Sequence, residues 1–361
     1  MSPAEQGIKL RHLTIRNFKA FDHFEIDFPP PLMEVDPDVM VLGSRNGLGK
    51  TSVLEAAAML FLAVTERLEE SEDIATLQRI LKAMIRSGAK EAVLGGKFSF
   101  DTDECDVSCE MSGKSGTSPM LSGNMGHFRR CYHELTDSLP AHLVRVMSGQ
   151  ALLSLASLNP EPVILPGLMY FHSNRKIQEG SIALRTLVEG GGAKEGKQPI
   201  SAFKSLLLRL LMSKAKLFEE IEERDAQEAL DRLNGFLEEY AAVTISKLRP
   251  SPDDSIEFRI QPIDGGESYA FDALSSGQKE IISTLFLIWY YSKGSPAIVL
   301  IDEPDLHLNA EWHHDFVRQV HELAPHNQYI LATHSEDIFA SVPEDRRLLL
   351  VPSGTTKEWS K

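Results

Sequence analysis

Residues 39–51 read VMVLGSRNGLGKT, an apolar run that meets a glycine-rich turn closed by a Lys-Thr pair, and KTSVLEAAAMLFLAV follows without a break. This stretch narrows the possible folds more than any other. The run reads as a buried strand and the segment after the turn as a helix, so the backbone N–H groups of the turn collect at a helix N-terminus and can wrap a phosphate. Gly47 and Gly49 supply the steric freedom. Lys50 can reach the outer phosphate oxygens and the Thr51 hydroxyl can hold a metal ion. The pattern G-x-x-x-x-G-K-[ST] has Ser44 in place of its first glycine, where the loop only begins to turn, and Gly43 lies just before it.

A second block sits near the other end of the chain. AIVLIDEPDLHLN (297–309) is a short apolar strand that delivers Asp302 and Glu303. An aspartate there can bind Mg²⁺ through water, and the neighbouring glutamate can polarise an attacking water. LSSGQKEIISTLFLIWYY (274–291) opens an apolar helix with a serine and glycine cap, a second anion site if it faces another copy of the chain and a simple N-cap otherwise. QYILATHSEDIF (328–339) is a strand that ends in His334, whose neutral imidazole can touch a phosphate or order a water.

Between these blocks, 8–28 alternates apolar and polar residues as two strands joined by a short connection, and 66–92 is charged with helical leucine spacing. Residues 95–112 alternate again, 134–157 read as helical, and GLMYFHS (167–173) reads as a strand. Apolar positions at helical spacing return over 200–240 after the loop EGGGAKEGKQP. From 255 the order is strand, turn, strand, helix, strand, helix, strand. The expected fold is α/β, a P-loop ATPase core of mixed sheet and flanking helices with a largely helical insert. Residues 1–65 and 255–361 would form the split core, and 66–254 a mainly helical insert or lid with a few strands.

The formal charge of −15 over 361 residues opposes indiscriminate binding to nucleic acid or membranes. The longest apolar run, Ala56 to Val64, is too short to span a bilayer, and three cysteines suit a reducing compartment, so a cytoplasmic protein is expected. Cys105, Cys109, His127, Cys131 and His133 could be drawn as a zinc site, but Cys105, Val107, Cys109 and Met111 share one strand face, and buried free thiols are the plainer reading. The basic stretch KSLLLRLLMSKAK (204–216) sets Lys204, Arg209 and Lys214 among leucines as a solvated helix face or a DNA contact. Residues 215–240 read as a short coiled coil or a helix packed on the core.

Taken in order, SRNGLGKT, LSSGQ, the strand ending in Asp302 and Glu303, and His334 resemble the ATP-binding cassette ATPases. The start LTIRNFKAFDHFEIDF and the form DEPDLHLN resemble the RecF, SMC and OLD branch, whose ATPases act in DNA repair, chromosome structure or phage defence. The resemblance covers roughly 8–65 and 255–350. It implies ATP and Mg²⁺, with Arg45, Asn46, Gly47, Leu48, Gly49, Lys50, Thr51 and Ser52 around the phosphates. Thr51 and Asp302 would hold the metal, Glu303 would be the base, His334 the switch, and Lys50 would carry developing charge. Ser275, Ser276, Gly277 and Gln278 would close on the ATP of a partner protomer, with Asp305 linking the two sites.

Asn309 and Ala310 replace the His and Pro often found in these relatives, while His307 is kept. Gln150 is a weak match to the glutamine loop, and the strand 168–175 with Arg175 resembles the one that returns from the insert in OLD-like ATPases. OLD nucleases continue past the switch histidine into a metal-dependent nuclease domain, for which this chain has no room. The resemblance therefore implies an ATP-linked homodimer or higher homo-oligomer, the sensor or motor of a phage-defence system with a separately encoded effector such as a nuclease. A RecF-like ATPase on duplex DNA is the alternative. A transporter's ATPase would need a membrane partner, and DEPDLHLN counts against it.

Overall fold

The computed structural model describes residues 7–33, 35–44, 47–65, 74–101, 103–114, 119–140, 161–175, 177, 179–180, 182–183, 201–217, 221–250, 255–306, 308 and 310–351. Strands β1 (Ile8–Phe18) and β2 (Phe21–Asp27) form the antiparallel pair that the alternation predicts. β3 (Asp38–Gly43) is buried along its length and leads to α1 (Lys50–Thr65). After α2 (Ile74–Met84) come β4 (Glu91–Phe100), β5 (Asp103–Ser112), β6 (Met120–Gly123) and α3 (Met125–Asp137). These strands complete a five-stranded antiparallel sheet in the order β2-β1-β4-β5-β6.

The middle of the chain adds β7 (Val163–Leu165), β8 (Leu168–Phe171), β9 (Ile182–Ala183), α4 (Ala202–Lys214) and α5 (Glu223–Ala241). It continues with β10 (Val243–Pro250), β11 (Ser255–Pro262) and β12 (Tyr269–Ala270), which form a small antiparallel sheet with β9 on β11. The last segment carries α6 (Ser276–Ser292), β13 (Ile298–Asp302), α7 (Phe316–Leu323), β14 (Gln328–Thr333), α8 (Glu336–Ala340) and β15 (Arg347–Leu349). The central sheet runs β15-β3-β14-β13-β8-β7, parallel except for β7.

Both faces of this sheet are covered, which is why its strands read as unbroken apolar runs. Met40, Leu42, Ile298, Leu300, Ile330 and Ala332 face α1 and the antiparallel sheet. Val39, Val41, Val299, Ile301, Tyr329 and Leu331 alternate with them and face the layer that contains α4, α5 and α6. Every residue of α1 from Ser52 to Val64 is buried, as expected of a helix that is apolar all round. Gln328, 1% exposed, joins the sheets: its Nε2 donates to Leu10 O at 2.8 Å and its Oε1 accepts from Leu10 N at 2.8 Å.

The middle of the chain differs from the expectation of a mainly helical insert beginning at residue 66. Residues 91–123 supply three strands of the antiparallel sheet, and β7 and β8 lie in the central sheet, so the core draws on 91–171 as well as on the two ends. The cause is visible in β4 and β5, whose alternating inward side chains need a sheet to cover α1. The helical expectation for 66–92 holds for α2 and fails where β4 begins. α3 ends at Asp137 and most of 134–157, like the loop EGGGAKEGKQP, lies outside the described residues. α5 buries Ala226, Ala229, Leu230, Leu233, Phe236, Leu237 and Tyr240, a helix packed on the core.

Candidate functional site

The parallel strands β3, β14, β13 and β8 end at one edge of the central sheet, and the chain after each carries a polar group there. Open α/β sheets bind ligands at this edge. β3 leads to Ser44 and the glycine turn, β13 ends at Asp302 and Glu303, β14 leads to His334, and β8 leads to His172, Ser173 and Arg175.

Gly47 and Gly49 both adopt positive φ, +80° and +96°. A Cβ on Gly49 would lie 2.6 Å from Phe21 Cζ, so the turn is seated against β2 and admits no side chain there. Lys50 Nζ donates to Ser44 Oγ at 3.0 Å and to His334 Nε2 at 2.7 Å. Ser44 thus sits beside the lysine, which its place in the pattern did not predict. Burial lowers the Lys50 pKa, and the carboxylates of Asp302, Glu303 and Asp305 oppose that shift. Leu48 packs on the core, and Ser52 is buried in the first turn of α1. Arg45 and Asn46 lie outside the described residues, as do Gln150, His307 and Asn309.

The Thr51 hydroxyl donates to Asp302 at 2.9 Å from Oδ2 and 3.2 Å from Oδ1. Asp302 is fully buried, and burial pushes its pKa up to about 6, eased by hydrogen bonds from Thr51 and Ser173. A buried carboxylate whose nearest partners are two hydroxyls, with Glu303 and Asp305 close by, fits a hard divalent cation with oxygen ligands. Thr51, Ser173 and Asp302 are the groups that could hold it. Phosphates alone would be repelled by these carboxylates, whereas phosphates with Mg²⁺ would not.

Glu303 has φ +47°, a left-handed conformation unusual for a glutamate. Its N–H donates to Ala332 O at 2.7 Å, and its Oε1 lies 3.6 Å from His334 Nε2. Asp305 accepts from the Thr333 hydroxyl, whose oxygen also accepts from Ser335 N at 2.9 Å. Arg175, 7% exposed, donates from Nη1 to His172 O at 2.8 Å and to Asp302 O at 2.6 Å, and from Nη2 to Glu303 O at 3.2 Å. Sequence reading missed Ser173, Thr333 and Glu280. Ser173 follows β8, Thr333 ends β14 and Glu280 lies within α6, and no local pattern marks any of them.

Ser275 caps α6 through a capping box: Gln278 N donates to Ser275 Oγ at 3.3 Å, and Ser275 N donates to Gln278 Oε1 at 3.1 Å. Ser275 and Ser276 are exposed and Gly277 is buried. Gln278 Nε2 donates to Tyr240 O at 3.0 Å. No hydrogen bond among the described residues joins this segment to Lys50, Thr51, Asp302, Glu303 or His334, so the chain does not bring LSSGQ onto its own glycine turn.

One secondary expectation changes, and the reading of the cysteines as buried free thiols holds. Lys204 is 2% exposed and binds Asp272 Oδ1 at 2.6 Å and Gly180 O at 2.9 Å, so it belongs neither to a solvated face nor to a DNA contact. Asp103, His127 and Cys131 hold ligand-type atoms within 4.8 Å of one another, but Arg130 Nη2 lies 2.7 Å from His127 Nδ1. A guanidinium already fills the space beside that imidazole. Cys105 and Cys109 are fully buried on the inner face of β5, and burial pushes their pKa values up to about 11 and about 12.

A family described as "AAA domain" matches residues 12–244, more than half of the chain. The chain belongs to this AAA family. A second AAA family, "AAA domain, putative AbiEii toxin, Type IV TA system", matches residues 202–340. The "Retron Vc95 probable ATPase" of Vibrio cholerae serotype O1 biovar El Tor is 32% identical over 94 residues, which cover 23% of this chain and 18% of that relative. The AAA fold here is also that of an SMC head. A SmcHead bound to the C-winged helix domain of ScpA has a TM-score of 0.56 at 16% identity, with 96% of each chain covered. An Smc head with an extended coiled coil, bound to the C-terminal domain of ScpA derived from Pyrococcus furiosus, has a TM-score of 0.53 at 15% identity over 97% of this chain and 95% of that one. The chain therefore combines membership of the AAA family with the fold of an SMC head. Among the described residues, no helix is long and apolar enough to cross a membrane.

Proposed function

We propose that this AAA protein binds and hydrolyses ATP and dimerises around it, each nucleotide held between the Ser44–Thr51 turn of one copy and the Ser275–Gln278 cap of the other. The observation that carries the reading is the bond from Thr51 to Asp302, which joins the glycine turn to the acidic strand end across the sheet edge. The exposed serines of the α6 cap, directed to no group of the site in their own chain, support the two-copy arrangement.

The turn amides and Lys50 bind and orient the phosphates, with Lys50 beside the charge that develops on them. Thr51, Ser173 and Asp302 would hold the metal. Bound Mg²⁺ supplies electrostatic stabilisation of the phosphate oxygens. Glu303 takes a proton from the water that attacks the γ-phosphorus as the bond to the β-phosphate oxygen breaks, and His334 orders that water.

In the cell we assign the protein to a phage-defence system, as the sensor or motor that works in the cytoplasm with a separate effector such as a nuclease. The likeness to a retron's probable ATPase supports this assignment. Native mass spectrometry of Glu303→Gln protein, recovered from its host with ATP and Mg²⁺, tests it. A dimer carrying two nucleotides and a second polypeptide is expected. A monomer with ATP bound overturns the dimer, and an ATP-linked homodimer that instead binds duplex DNA favours the RecF-like alternative.

A further inference from the structure

We propose that Arg175 and Glu280 form a buried relay that holds Glu303 in its left-handed conformation and couples its position to the Ser275–Gln278 cap. The inference rests on the proposed ATPase reading and adds the connection between the two halves of the composite site.

Arg175 stands at the end of β8, next to β13, where Phe171 registers with Ile301. Its guanidinium takes both strand-end carbonyls, Asp302 O and Glu303 O, and its Nη2 also pairs with Glu280 Oε1. Glu280 lies on α6, two residues after Gln278, and is 8% exposed. A planar fork with fixed donor directions can satisfy carbonyls on one side and a carboxylate on the other, and lysine cannot. Breaking a pair this deeply buried would leave the second charge without a partner.

The need for such a clamp is local. A non-glycine residue in the left-handed region is strained and persists only where its surroundings over-determine it. Three contacts do so at Glu303: its N–H donates to Ala332 O, and its carbonyl accepts from Leu306 N at 3.1 Å and from Arg175 Nη2 at 3.2 Å. Losing Arg175 leaves the carbonyl on the Leu306 N–H alone, which loosens the peptide and with it the place of the Glu303 carboxylate beside His334. α6 is a continuous helix, so Glu280 and Ser275 move together. A displacement of the cap therefore pulls on the guanidinium, and through it on Glu303. A cavity of about 30 Å³, lined in part by Arg175, Glu280, Glu161 and Thr284, lies beside the pair.

Arg175 and Glu280 are thus positioning residues. Arg175→Lys and Glu280→Gln, each made in the full chain, test the relay with three readouts: steady-state ATP turnover, affinity for a fluorescent ATP analogue, and the unfolding midpoint. Expected is a fall in kcat of roughly 10- to 100-fold for Arg175→Lys and a smaller fall for Glu280→Gln, with nucleotide affinity within about threefold of wild type. In the Glu303→Gln background, Glu280→Gln should also raise the ATP concentration needed for dimerisation. Wild-type turnover with unchanged kcat in both variants overturns the relay alone. Affinity and midpoint that drop in step with kcat show a packing role only and also overturn it. Wild-type protein that turns over no ATP overturns the ATPase reading and the relay with it. If Arg175→Lys fails to fold, the isosteric Glu280→Gln carries the same comparison.

Discussion

Lys50 Nζ donates to His334 Nε2 at 2.7 Å, which joins the first residue of α1 to the residue just past β14. The contact places the ammonium and the imidazole at one point of the sheet edge, where a phosphate would meet both. Lys50→Ala should weaken ATP binding by roughly 10- to 100-fold, the range for losing charge-assisted hydrogen bonds. His334→Ala should leave affinity within a fewfold and lower turnover instead. Equilibrium titration with a fluorescent ATP analogue, run beside a phosphate-release assay, separates the two effects.

Glu303→Gln keeps the shape of the side chain and its place opposite His334 but removes the proposed base. Turnover should fall by on the order of 10² to 10⁴ while ATP binding is preserved. A variant with normal phosphate release would remove Glu303 from the chemistry.

The two glycines of the turn should respond differently to a methyl group. Gly47 has φ +80° and nothing within 4 Å of an added Cβ, so Gly47→Ala bears only the backbone cost of about 1 kcal/mol. Gly49→Ala bears that cost and a 2.6 Å clash with Phe21. Urea unfolding should show Gly49→Ala as the less stable variant, and adding Phe21→Ala should relieve the steric part of its loss but not the backbone part.

Glu161 gives the stability a pH dependence that can be removed. It is 6% exposed and accepts from Ala202 N at 2.7 Å, and burial pushes its pKa up to about 7 despite that hydrogen bond and nearby Lys204. The folded state therefore binds the proton more tightly than the unfolded chain, whose carboxyl titrates near 4.5. The contribution of this group to stability is complete below that value and is lost as pH rises to about 7. Glu161→Gln should abolish this component, on the order of 3 kcal/mol, so its advantage over wild type should be larger at pH 8 than at pH 5. Unfolding midpoints across that range test it.

Much of this arrangement is legible in the residues. The glycine turn, the Asp302-Glu303 strand end and His334 each carry a local pattern, and all three arrive at one sheet edge. Ser173 and Thr333 carry none: a hydroxyl after a strand becomes significant only when a neighbouring strand points a carboxylate at it. Arg175 could be singled out by likeness to other proteins, but its bond to Glu280 joins residues 105 positions apart by subtraction, beyond the reach of any periodicity. The full extent of the core is not legible because β4 pairs with β1, far earlier in the chain, and β5 joins the sheet only through β4.

The pairing order of the central sheet also sets a timetable. β3 lies between β14 and β15, and its end bears the glycine turn. Gln328, which satisfies Leu10, belongs to the same late segment. During synthesis the strand that leads to the turn thus waits without lateral partners until β14 emerges, and closure of so long a loop is slow. A nascent chain stalled before residue 328 would carry every residue of the turn and still present no pocket, so the capacity to hold a nucleotide is acquired only once β14 and β15 have emerged rather than built up along the way.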